Sequence, residues 1–190
     1  MPDTPLGAHA EALRLFGERV RAVGADQWRA PTPCTLWNVR QLVGHVTAEQ
    51  LWVEPLVTDG RSAGELGDAF SGDVLGEDPA GAWDRASAAA HTALAAPGAL
   101  ERTVGLSYGP VPGSEYCAQL TVDCAVHAWD LSRAIGADER LPDDLVAFCA
   151  REVAPHAAEL AASGMFAPPL QAPPGASAQT RLLALMGRLD

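Results

Sequence analysis

Asp123 and His127 stand four residues apart in SEYCAQLTVDCAVHAWDLSRAIG (114–136), and His45 stands far upstream in NVRQLVGH (38–45). Two imidazoles and a carboxylate are donors of the kind found in catalytic zinc sites, where three protein ligands leave coordination positions open. The same set matches the facial triad of non-haem iron enzymes, so the residue types point to zinc first, then nickel, iron or manganese. An Asp and a His facing a core need a partner, because an unpaired buried charge is costly. That partner is each other, a water or a metal. Taken alone, His45 reads equally well as a core histidine satisfied by a carbonyl.

These residues must be positioned by helices. In 114–136 the residues Tyr116, Leu120, Asp123, His127, Leu131 and Ala134 fall on one stripe at spacings of three and four, with Ser114 expected as cap. Leu42, His45, Glu49, Trp52 and Leu56 share a stripe on a helix expected over 39–57, opened by a capping box of Asn38 and Gln41. A first helix over 5–23 is capped by Asp3 or Thr4, and a third over 79–96 starts at Asp78-Pro79 and ends before Pro97-Gly98. The fold class expected is all-α: an up-and-down four-helix bundle over 1–136 with a short helical appendage over 137–190, the whole a single domain. In the appendage Pro142-Asp143-Asp144 starts a helix that Pro155 ends, a Pro-rich coil covers 164–176, and Ser177 caps a last short helix. Residues 59–77 read as a long connection bordering a pocket mouth, 101–108 as a short extended segment, and GPVPGS (109–114) as a turn.

The other polar residues are read more plainly. Glu49 is an acceptor for His45 or a pocket-lining or surface carboxylate. Asp130 is structural, holding the loop before the second helix or pairing with Arg133. His9 is a surface histidine, and His91 lies beside the buried stripe of the third helix. Cys34 sits in a loop with no charge visibly near it, Cys117 and Cys124 point off the central stripe, and Ser107 and Tyr108 border the site. No phosphate loop, GxSxG or dinucleotide fingerprint is present in the sequence.

Composition narrows the partners. The chain carries 13 basic residues, all Arg, against 24 acidic ones, for a formal charge of −11. An acidic surface without a basic run argues against nucleic acid and against anionic membrane. No apolar run spans a bilayer, no signal peptide is visible at the start, and four cysteines without CxxC spacing read as free thiols of a cytoplasmic protein.

With those residues set out, the chain resembles the DinB-like superfamily, in the actinobacterial branch represented by the metal-binding N-terminal domain of mycothiol-dependent maleylpyruvate isomerase. TPCTLWNVRQLVGH (32–45) and VDCAVHAWDLSRAIG (122–136) carry the likeness, and the tail MFAPPLQAPPGASAQTRLLALMGR (165–188) is similar to a small group of uncharacterised actinobacterial proteins. The resemblance implies a helical bundle with a divalent-metal triad of His45, Asp123 and His127, Asp123 standing where the isomerase has Glu. It further implies thiol-dependent chemistry, with mycothiol as co-substrate and a transferase or isomerase reaction on a small electrophile. Expected partners are therefore a small-molecule substrate or low-molecular-weight thiol, and a homodimer is compatible with them. The alternatives left open are a non-catalytic metal- or ligand-binding protein with a regulatory or stress role, and a helical scaffold without metal.

Overall fold

The structure is a computed structural model, and it describes residues 4–35, 37–156 and 167–189. Helix α1 (Pro5–Ala22) starts where Thr4 Oγ1 accepts from the Gly7 N–H at 3.1 Å; Asp3, the other cap considered, lies outside the described residues. Helix α2 (Val39–Leu51) opens with the expected reciprocal capping box of Asn38 and Gln41. Past its end the chain widens into a π turn, Glu54–Thr58, with the Asp59 N–H on Glu54 O at 3.3 Å. Pro55 is the physical reason that the regular helix stops short of 57, since it has no N–H to give to the preceding turn.

The connection that follows contains a one-turn helix α3 (Ala63–Leu66) and buries Leu75 at 3% exposure. Helix α4 (Pro79–Ala95) is capped by Asp78, as its sequence implies. Strands β1 (Thr103–Leu106) and β2 (Gly109–Pro112) then pair antiparallel, Val104 opposite Val111. The extended reading of 101–108 therefore holds for β1, whereas GPVP is a strand rather than a turn.

The hairpin also explains the start of the central helix α5 (Gly113–Ile135). Ser114 does not cap it. The first free amides, Gly113 N–H and Ser114 N–H, donate to Arg102 O at 2.7 Å and Leu100 O at 2.8 Å, so the incoming chain satisfies them without a capping side chain. Only glycine fits at 113, because a Cβ there would stand 2.3 Å from Ala99 O.

Helices α1 and α2 each pack against both α4 and α5, so α1 and α2 lie diagonally across a four-helix bundle. Helices α6 (Asp143–Val153) and α7 (Ala178–Leu185) extend it, α6 against α5 and α1, and α7 against α6. This is the all-α bundle with a helical appendage that the sequence leads one to expect, with the hairpin added. Ser177 caps α7 by accepting from the Thr180 N–H at 3.0 Å. Among the described residues the apolar core forms two clusters. One joins α1, α6 and α7 to parts of α2 and α5. The other joins the π turn, the end of α4, the hairpin and the start of α5.

His9 and Gln50 sit where the two clusters meet. Along α2 Gln50 lies between Val46 of one cluster and Val53 of the other, and along α1 His9 lies between Leu6 and Ala12 in the same way. His9 is no surface histidine: it is 0% exposed, and its Nε2 donates across the bundle to Gln50 Oε1 at 3.3 Å. No described helix is long and apolar enough to cross a membrane.

Candidate metal centre

Helix α2 delivers His45 two turns after its capped start, and helix α5 delivers Asp123 and His127 one turn apart. In space the three converge. One donor atom from each lies within 4.8 Å of the others, the one such cluster of His, Cys, Asp and Glu among the described residues. Asp123 Oδ2 lies 3.5 Å from His45 Nε2, and Asp123 Oδ1 lies 3.4 Å from His127 Nε2. Trp37 closes one side, its ring 4.4 Å from that of His45 and 5.7 Å from that of His127.

The charges hold one another in place. Burial alone would raise the Asp123 carboxyl, but the two imidazoles beside it prevail and hold it well below the usual carboxylate range. Burial would likewise lower His127, and the Asp123 and Asp130 carboxylates overcome it, raising the imidazole to about 9. Cys124 is buried with its thiol pushed well up, which fits its place off the stripe.

Asp130 is the residue whose role the sequence misstated. It is fully buried and pairs neither with the loop before α2 nor with Arg133. Its Oδ2 accepts from His127 Nδ1 at 2.9 Å and from Arg188, 58 residues on, at 2.8 Å. Arg133 instead grips Glu139 at 2.7 Å. With Nδ1–H held by a carboxylate, it is Nε2 that would lose its proton and turn a lone pair towards an ion, the usual outer support of a metal-ligating imidazole. The spacing of three from His127 to Asp130 was the available signal.

Glu49 makes no hydrogen bond to His45. It is half-buried on the same face of α2, and its carboxyl is raised by burial and by Asp123, with both imidazoles partly offsetting this. A cavity of about 510 Å³ opens beside His45, lined in part by Trp37, Arg40, Gly44, Phe70, Asp73 and Val74. The 59–77 connection thus borders a pocket mouth, as expected. Ser107 and Tyr108 do not join the cluster; they form the exposed hairpin turn, with Tyr108 Oη donating to Gln119.

Donor chemistry and spacing both fit a divalent ion. Ligands about 2.1 Å from a tetrahedral ion stand about 3.4 Å apart, close to the two separations from Asp123. The comparisons with known proteins agree on the fold. A crystal structure of a mutant of the mycothiol-dependent maleylpyruvate isomerase superposes with a TM-score of 0.60 at 16% identity, over 78% of this chain and 68% of that one. Two uncharacterized proteins, from two strains of Mycobacterium tuberculosis, are each 34% identical over 146 residues, covering 74% of this chain and 72% of theirs. Residues 9–132 match the mycothiol maleylpyruvate isomerase N-terminal domain, and the chain belongs to that family.

Proposed function

We propose that the chain binds one divalent ion, zinc first among the candidates, through His45, Asp123 and His127. We further propose that it serves a thiol-dependent transferase or isomerase reaction on a small electrophile. One observation carries the reading. The carboxylate of Asp123 stands between two imidazole Nε2 atoms at 3.4 and 3.5 Å. Those separations are long for N–H···O bonds, which centre near 2.9–3.0 Å, and close to the edge of a coordination polyhedron.

Such an ion, when bound, lowers the pKa of a coordinated thiol and so supplies a nucleophile near neutral pH. The chain's own residues do the rest. Asp130 holds the His127 ring by its Nδ1–H, and Trp37 keeps water from one side of the two imidazoles. Glu49, with its raised carboxyl, is placed to take the proton that an incoming thiol gives up. The cavity beside His45 receives the electrophile between Trp37 and Phe70. The solved relative is a mycothiol-dependent isomerase, and mycothiol, a low-molecular-weight thiol, is the co-substrate this reading names.

The test is spectroscopic. Cobalt-substituted protein titrated with mycothiol is expected to develop a sulfur-to-cobalt charge-transfer band, and the His45→Ala protein should not. A cobalt spectrum indifferent to the thiol refutes the thiol chemistry. If metal binds, and turnover of an electrophile panel with mycothiol equals that of His45→Ala, the site is a binding site without catalysis.

A further inference from the structure

The C-terminal segment reaches the metal centre through one side chain. Helix α7 ends in a paired set of closing hydrogen bonds: Gly187 N–H on Ala184 O at 3.1 Å and Arg188 N–H on Leu183 O at 2.8 Å. That pattern requires a left-handed residue at the turn, and Gly187 supplies it at φ +74°. A Cβ at 187 would stand 2.5 Å from the Ala167 Cβ, so the turn is locked between α7 and the coil before it. The next residue, Arg188, is thereby aimed inward, with its side chain only 10% exposed.

Its guanidinium takes both oxygens of Asp130, Nε on Oδ1 at 3.3 Å and Nη2 on Oδ2 at 2.8 Å, while Nη1 holds Met186 O at 2.7 Å. Asp130 is 0% exposed, so water does not stabilise its charge. Among the described residues its cationic partners are His127 and Arg188. Arg188 is thus the side chain that clamps both Asp130 oxygens in the orientation that meets His127 Nδ1.

We infer that Arg188 is a positioning residue for the ion site: it holds Asp130 as the acceptor that fixes the His127 ring, and so couples docking of α7 to ion binding. This rests on the proposed ion site. Coupling of this kind is reciprocal, so the bound ion must tighten the C-terminal segment as much as the docked segment tightens the ion. The whole proposed ligand set comes from α2 and α5, and the appendage is thus a part of the site that contributes no ligand.

The experiment measures zinc affinity by competition with a chromogenic chelator, together with hydrogen exchange of the intact chain with and without zinc. Arg188→Gln is expected to weaken zinc by about tenfold or more, the range found when an outer partner of a ligating histidine is lost. Arg188→Lys should recover part of that, and Arg188→Gln should add little in an Asp130→Asn background, because the two act in series. In the wild type, zinc is expected to slow exchange of the 182–188 amides. That measurement needs no variant and decides the matter even if Arg188→Gln fails to fold. A wild type that binds no zinc overturns the ion site itself. A wild type that binds zinc, with Arg188→Gln binding as tightly or tighter and the 182–188 amides indifferent to zinc, overturns the coupling alone.

Discussion

Acidification should destabilise this protein through His9, and a His9→Gln substitution should remove the effect. Burial is the main cause that lowers the His9 imidazole to about 4, against an ordinary value of 6.5; His91 adds to it, and the bond to Gln50 only partly offsets it. The folded state therefore holds His9 neutral, while the unfolded chain protonates it as pH falls through 6.5. Because the unfolded state binds more protons in that window, stability is full above pH 6.5 and is lost as pH falls from 6.5 towards 4. A shift of about 2.5 units at about 1.4 kcal/mol each gives a loss of about 3 kcal/mol by pH 4. Urea unfolding of metal-free wild type and His9→Gln at several pH values between 7.5 and 4 measures it. The subtraction cancels groups common to both proteins, His127 and the carboxylates among them. The stability difference between the two should move towards the variant by about 3 kcal/mol over that range. A difference that stays flat with pH would refute the reasoning, and would mean that protonated His9 finds compensation inside the bundle.

Other perturbations test other links. Gly113→Ala drives a Cβ to 2.3 Å from Ala99 O; it should cost about 1–3 kcal/mol, read as a lowered melting temperature. Asn38→Ala removes the Oδ1 that accepts from the Gln41 N–H at the start of α2, leaving the backbone N–H of residue 38 on Gln41 Oε1, and should cost about 1 kcal/mol by urea unfolding. Chelator treatment should lower the melting temperature of metal-loaded protein by mass action, and acidification below about pH 6 should release the ion as its imidazoles protonate; equilibrium dialysis followed by elemental analysis checks the release.

The part of this site that was legible in the sequence is the part that lies on single helices. Periodicity alone puts Asp123 and His127 on one face of α5, and the Asn38–Gln41 box sets where α2 begins and therefore which way His45 looks. What it does not show is where one element meets another. His9 reads as a surface residue because its own helix says nothing of Gln50 reaching across the bundle diagonal. Ser114 reads as a cap by residue type, but the helix already begins at Gly113, where Arg102 and Leu100 carbonyls take the Gly113 and Ser114 amides, a pairing that exists only once the hairpin folds. Arg188 lies 58 residues from Asp130, and no local pattern links them. Pro55 was visible throughout as a residue without an N–H, but its neighbours are apolar at helical spacing, and that periodicity masked the widened turn.

X-ray absorption at the zinc edge of protein loaded with one equivalent of zinc addresses the central claim most directly. Two nitrogen scatterers from imidazole and at least one oxygen, all at about 2.0–2.2 Å, are expected, with one imidazole lost in His45→Ala and one in His127→Ala. Sulfur scatterers at about 2.3 Å, or a spectrum unchanged by both substitutions, would contradict it.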